Sequence, residues 1–234
     1  MPLPRDDEQD IDALIAALGH PETHVRRRAV AAIEAMGKEA ARAVPHLLRS
    51  LHDTEEAVRH QAILALGRIG TPAVEGLVEA LHSPSASLRA TAALILGRIG
   101  PDASQAIAPL VATLGDEDAH VSDMAGSALV EIGDASVPPL IEGLQRGSPR
   151  LRCSAAEVLG LIDTTLANSA WSLFEALGDE SREVRRAALG ALERMPQWRL
   201  QSKHLGPGRH ILQACAEDPD EDVRSRALRL LALL

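Results

Sequence analysis

Apolar residues recur along this chain with the 3.6-residue rhythm of helices, and the rhythm restarts at nearly constant intervals. Val58, Ala62, Ala65, Leu66 and Ile69 fall at i, i+4, i+7, i+8 and i+11, one face of an amphipathic helix. A short second stripe follows: Val74, Leu77, Val78 and Leu81. The same second stripe returns as Val44, Leu47, Leu48 and Leu51, as Ile107, Leu110, Val111 and Leu114, and as Val137, Leu140, Ile141 and Leu144. The unit is therefore a helix pair. Its first helix is tracked by one apolar marker, usually Val followed by Arg: Val25, Val58, Leu88, Val121, Leu151, Val184 and Val223, spaced 33, 30, 33, 30, 33 and 39 residues apart. Copying is close in places, as in AILALGRIG at 62–70 and ALILGRIG at 93–100.

Punctuation supports the reading. The first helix is expected to begin at the marker and to end at Gly37, Gly70, Gly100 or Gly133, where glycine takes the left-handed cap conformation. Pro72 helps restart the chain. Asp53, Ser83, Asp116, Asp179 and Asp218, in the turns before the first helices, suit helix N-capping. No pair can bury its stripe alone, so neighbours must stack into a continuous core. The pattern predicts an all-α array of about six helix pairs with a half repeat at each end. Residues 1–10 form an acidic N-terminal segment, 11–234 a single repeat domain, and 196–210 an irregular insertion.

Composition sharpens this picture. Apolar residues make up 46% of the chain but aromatics only 1%, namely Trp171, Trp198 and Phe174. A core of Ala, Leu, Val and Ile fits close-packed repetitive helices. Lys and Arg number 24 against 33 Asp and Glu, a net charge of −9, which argues against nucleic acid as partner. No stretch approaches the roughly 18 apolar residues of a membrane span, and the N-terminus lacks a signal-peptide pattern. Two cysteines, Cys153 and Cys215, make no disulfide framework, and the cytoplasm is the expected compartment.

The segments DTEEAVRHQAILALGRIGTPAVEGLVEAL at 53–81 and DESREVRRAALGALERM at 179–195 resemble HEAT repeats of the bacterial phycobilisome-lyase type. The resemblance spans residues 11–234 and implies a right-handed α-α superhelix, an armadillo-like helical solenoid whose second helices line the concave face. It also implies two functions. One is a non-catalytic protein–protein interaction scaffold; the other is a bilin lyase or chromophore-handling subunit. The fold hosts both.

On that arrangement the outward positions of the second helices become the candidate binding surface: His46, Arg49, Glu75, Glu79, Glu142, Trp171 and Glu175. Trp171 takes the slot that Pro45 and Pro138 fill elsewhere; it reads as an interface anchor or as cover over a neighbouring helix. The insertion adds Trp198, Arg199 and Lys203, either a cationic binding loop or a plain linker. The arginines after the marker, Arg26, Arg59, Arg89, Arg152, Arg185 and Arg224, form a ladder that Ser122 interrupts. They either read acidic ligands or pair with turn carboxylates such as Asp53, Asp179 and Asp218.

Catalytic chemistry is harder to find. Nine histidines include no His-Glu dipeptide, the pattern through which HEAT-like deoxyhypusine hydroxylases hold di-iron, and no metal site or cofactor is predicted. Arg150 and Arg152 are placed to lower the Cys153 pKa, whereas Cys215 falls on a core stripe. No nucleophile elbow or phosphate loop occurs. The apolar C-terminus, Leu228, Leu230, Leu231, Leu233 and Leu234, either packs inward or offers a surface for self-association. The sequence thus points to another protein as partner, with no membrane and no nucleic acid.

Overall fold

The computed structural model describes residues 11–162, 167–196 and 208–233, and every described element is helical. The chain divides into two compact units, Met1–Ala106 and Ile107–Leu234. The first unit holds α1 (Ile11–Ala17), α2 (Thr23–Met36), α3 (Val44–Ser50), α4 (Glu56–Ile69), α5 (Val74–Ala80) and α6 (Ala86–Ile99). Short 3-10 segments, Gly37–Ala43, Thr71–Ala73 and Gly100–Ala106, follow α2, α4 and α6. The second unit holds α7 (Ile107–Thr113), α8 (Ala119–Ile132), α9 (Val137–Arg146), α10 (Pro149–Leu159), α11 (Ala167–Ala176), α12 (Arg182–Arg194), α13 (Gly208–Cys215) and α14 (Glu221–Leu233).

Packing follows the two stripes. In the first unit the long helices α2, α4 and α6 pack in succession, and the short helices α3 and α5 pack on each other and on the long ones. In the second unit α8, α10, α12 and α14 form the long layer and α7, α9, α11 and α13 the short layer. The stripe of α4 is fully buried from Val58 to Ile69, and Leu47, Leu77, Leu110 and Leu140 are buried to the last atom. Alanines such as Ala62, Ala65, Ala92, Ala93, Ala188 and Ala191 fill much of the long-helix interface. Few aromatics are needed because small side chains let the helix axes approach. The one phenylalanine, Phe174, is buried beside Gly208; a Cβ built there would lie 2.9 Å from its ring. Gly208–His210, the end of the predicted insertion, is the first turn of α13.

Three local expectations are corrected. The long helices begin two residues before the marker, at Thr23, Glu56, Ala86, Ala119, Pro149, Arg182 and Glu221, so the marker sits in the first turn, where Val58, Val121, Val184 and Val223 are fully buried and Val25, Leu88 and Leu151 partly so. The repeat glycines have positive φ, but not in the left-handed helical well. Gly70 has φ 76° and ψ −134°, a region reserved for glycine, and its N–H still closes the helix on Leu66 O. Gly37, Gly100 and Gly133 share these φ and ψ values closely, and Gly100 and Gly133 the same bond four residues back, whereas Gly37 bonds to Glu34 O. The turn residues Asp53, Ser83, Asp116, Asp179 and Asp218 are not N-caps either. The N-cap positions belong to Glu22, Glu55, Ser85, Asp118, Ser148 and Ser181. Ser85, Asp118 and Ser148 cap with their side chains.

At the C-terminus Val223, Ala227 and Leu230 pack inward, whereas Leu228 is 56% and Leu233 48% exposed, because α14 buries only one face. No described helix is long and apolar enough to cross a membrane.

The stripe assignment carries a direct stability test. Replacing fully buried Leu110 by Ala is expected to lower the unfolding free energy by about 2–5 kcal/mol through transfer loss and cavity formation. Leu110→Asp costs more, because it buries an unpaired charge. The same Ala at exposed Leu94 stays within about 0.5 kcal/mol. Urea denaturation of the three variants checks all three values.

Candidate functional site

The most elaborate side-chain geometry lies in the turns between repeats. Arg26 donates from its terminal NH1 group to His20 O (3.0 Å) and Pro21 O (2.9 Å), the carbonyls of its own turn. Its Nε and NH2 edge reaches forward to the next repeat and grips Asp53 at 2.7 and 2.8 Å. Asp53 Oδ1 in turn accepts the Glu55 backbone N–H at 3.0 Å. Arg185 repeats the arrangement with Asp179 O and Glu180 O behind it and Asp218 ahead at 2.8 and 3.0 Å. Arg152 does so in part: NH1 donates to Gly147 O behind and NH2 to Asp179 ahead at 2.9 Å, while its Nε stands 2.8 Å from the same carboxylate as an ion pair without a hydrogen bond. These pairs are secluded: the Arg26 and Asp53 side chains are 12% and 9% exposed. Arg26, Arg152 and Arg185 therefore serve the fold, each pairing with the carboxylate of the neighbouring repeat.

Burial without compensation would be costly, and the bonds remove that cost. Hydrogen bonding from Arg26 holds the Asp53 carboxyl below the usual range against the effect of burial. Burial pushes Asp218 upward, but the Arg185 hydrogen bonds, the Asp220 N–H and the Arg185 charge together bring it below that range. Asp220 is lowered by its bonds to Arg186.

The interruption at Ser122 is repaired from elsewhere. The Ser122 hydroxyl turns to Leu114 O (2.8 Å) and sits 3.2 Å from the Ser154 hydroxyl. Arg150, one repeat on, donates back to Asp116 O (2.9 Å) and Glu117 O (3.0 Å), the carbonyls that an arginine at 122 would have served. Sequence reasoning missed Arg150 in this role, because its position in its own repeat is not a ladder position.

The predicted binding residues occupy the short helices, and the chain uses few of them internally. His46 and Arg49 line a groove of about 490 Å³ between α1 and α3, with Ile15, Ala16, Leu18, Gly19, Ser50 and Asp53. The His46 Nδ1 atom is buried without a hydrogen-bond partner. Ser50 anchors the same helix, donating to His46 O at 3.2 Å. Arg49 is exposed and makes no ion pair among the described residues. Glu75 and Glu79, four apart on α5, are exposed and likewise unpaired among the described residues. In the second unit Glu142 is held by Arg146 at 2.9 Å. Trp171 is half-exposed on α11 and donates its indole N–H to exposed Glu175 at 2.9 Å. Trp198, Arg199 and Lys203 lie outside the described residues.

The cysteine expectation reverses. Cys153 is half-buried, its thiol 3.7 Å from Glu183 O. Burial, with the Glu157 and Glu183 charges, pushes it up to about 11; Arg152 turns to Asp179 and Arg150 to turn carbonyls. Cys215 is buried, its thiol also raised by burial. No three His, Cys, Asp or Glu side chains among the described residues are placed to hold a metal ion.

Two titrations test this electrostatic picture. The depressed carboxylates contribute stability that is complete above about pH 4, the unfolded value for Asp, and is lost as pH falls through their lower folded values. Asp53→Asn and Asp218→Asn are therefore expected to flatten the fall of Tm between neutral and strongly acid pH, as read by circular dichroism. Cys153 in the native chain is expected to alkylate on the order of a hundredfold more slowly than an ordinary thiol at neutral pH, its rate climbing with pH toward about 11. Stopped-flow alkylation before and after denaturation measures it.

Comparison with known proteins places these features in context. A protein-family profile for HEAT repeats matches residues 11–75, 74–160 and 137–205. Among solved structures, one engineered protein is 22% identical over 97% of this chain and 68% of its own, with a TM-score of 0.45. Human deoxyhypusine hydroxylase in complex with glycerol is 26% identical, covering 97% of this chain and 96% of its own, at a TM-score of 0.40. The complex of CpcE and CpcF of phycocyanin lyase from Nostoc sp. PCC7120 is 22% identical, covering 100% and 98%, also at 0.40. No curated protein matches the sequence.

Proposed function

Because the chain belongs to the HEAT-repeat family, we propose that it is a non-catalytic cytoplasmic scaffold that binds another protein through its short-helix surfaces. One observation carries the reading: the outward charges Arg49, Glu75 and Glu79 are left without ion-pair partners among the described residues, while the long-helix ladder arginines Arg26, Arg152 and Arg185 are engaged between repeats. Charges that stabilise nothing within the chain are available to a second molecule. In the first unit they form two adjoining patches of opposite sign, with His46 and Arg49 on α3 and Glu75 and Glu79 on α5. In the second, Trp171 offers an amphipathic ring whose polar atom is already satisfied by Glu175, so its apolar face can be covered without a desolvation loss at the N–H.

Affinity capture and cross-linking of the full chain test this. Trp171→Ala and Arg49→Glu are expected to reduce recovery of the partner by roughly thirtyfold or more at a binding hot spot, with Tm essentially unchanged. Recovery that falls only in step with stability would assign Trp171 to cover and sink the interface. Absence of any protein partner, together with an absorbance shift on adding an open-chain tetrapyrrole, would favour chromophore handling instead.

A further inference from the structure

The inter-repeat arginine is a two-sided device, and at one interior repeat only one side is used. Arg59 is anchored like the others, with NH1 donating to Asp53 O at 2.7 Å and to Thr54 O at 3.0 Å. Its Nε and NH2 edge has no hydrogen-bond or ion-pair partner among the described residues. By the repeat register that edge addresses the turn ahead of α6, where Ser83 replaces the aspartate found at 53, 179 and 218. Ser83 keeps the backbone half of the aspartate's duty. Its Oγ accepts the Ser85 N–H at 3.2 Å, as Asp53 Oδ1 accepts that of Glu55 at 3.0 Å. What is missing is the negative charge. Arg224 shows the same open edge in α14, but no later turn follows it among the described residues.

We propose that Ser83 is a phosphorylation site, and that its phosphoryl group completes the Arg59 staple between α4 and α6. A free anion held by one guanidinium edge at a wet turn gains little. An anion tethered to the hydroxyl at that place binds intramolecularly, at high effective concentration. A phosphoryl group supplies close to two charges and three acceptor oxygens, which suit the planar Nε–NH2 edge. Access is open: Ser83 is half-exposed, and His82, Pro84 and Ser85 around it are exposed. The donor is a nucleoside triphosphate and the catalyst a separate protein kinase. The Ser83 Oγ–P bond forms, the bond from the γ-phosphorus to its bridging oxygen breaks, and the nucleoside diphosphate departs. The hydroxyl proton passes to the kinase's base.

The full chain with phosphoserine installed at position 83 during translation is compared with the unmodified chain, each with and without Arg59→Gln. Phosphoserine is expected to raise Tm by about 2–4 °C with Arg59 present and to leave it unchanged in the Arg59→Gln background. Ser83→Asp should behave the same way. A gain independent of residue 59, or a loss of stability, overturns the proposal. Inorganic phosphate added to the unmodified chain is the competing arm. An Arg59-dependent gain as large as that of phosphoserine assigns the notch to free anions and also overturns it. Mass spectrometry of the chain from the cells that make it is expected to find the phosphate on Ser83; a bare Ser83 under all growth conditions counts against the site.

Discussion

Each repeat must join the next through a tight turn, and a tight turn exposes carbonyl groups that no helix can satisfy. One arginine per repeat meets that need. In Arg26 and Arg185, NH1 satisfies two carbonyls of the turn behind, and the Nε–NH2 edge closes on the aspartate of the turn ahead. The aspartate is itself oriented by a backbone N–H two residues on. Because the guanidinium is planar and the carboxylate is oriented, the bond is specific in direction as well as sign. A slip of one repeat against the next would leave a secluded charge unpaired, which is far more costly than the intact pair is stabilising. The staple thus fixes the register in which the alanine-rich long helices meet, and their close approach depends on that register.

The same logic explains how the chain departs from its own pattern. Where Ser122 removes an arginine, Arg150 returns from the following repeat to the orphaned carbonyls. Where Ser83 removes an aspartate, Arg59 keeps its carbonyl anchors and leaves one edge open. The first departure is repaired because unsatisfied turn carbonyls are expensive. The second is tolerated because the open edge of Arg59 lies at a half-exposed turn where water can solvate it.

Charge is divided between the two helix layers. The turn-facing charges of the long helices are spent within the fold, and Arg186, Arg226 and Arg229 extend that network through Asp220, Asp222 and Glu193. On the short helices Arg49, Glu75 and Glu79 stay exposed without an ion pair among the described residues, whereas Glu142 and Trp171 are engaged by residues four positions on and Asp12 of α1 by Arg42. A surface of this kind is free to vary while the repeat stays intact.

The helix pairs, their repeat length, their buried stripes and the ladder of arginines were legible in the sequence, because periodic burial leaves a periodic trace. Leu47, Leu77, Leu110 and Leu140 were each identified from spacing alone and each is fully buried. Among the candidate binding residues, His46, Arg49, Glu75 and Glu79 could be placed on their helices, but their state of engagement could not. Nothing local in the sequence shows that Arg49 is unpaired or that the Trp171 indole binds Glu175. The turn aspartates look like helix caps in sequence, since capping and stapling call for the same residue type. The sequence offered both roles, and the tertiary structure decides for pairing with arginines 27 to 33 residues away. The reversal at Cys153 has the same origin. Two arginines beside it in sequence imply a lowered thiol pKa, yet both are committed elsewhere in space, and burial beside Glu157 and Glu183 decides the outcome. Sequence determines which residues recur and how often they face inward; the partner of each charge depends on the contact between repeats, which only the folded chain brings into being.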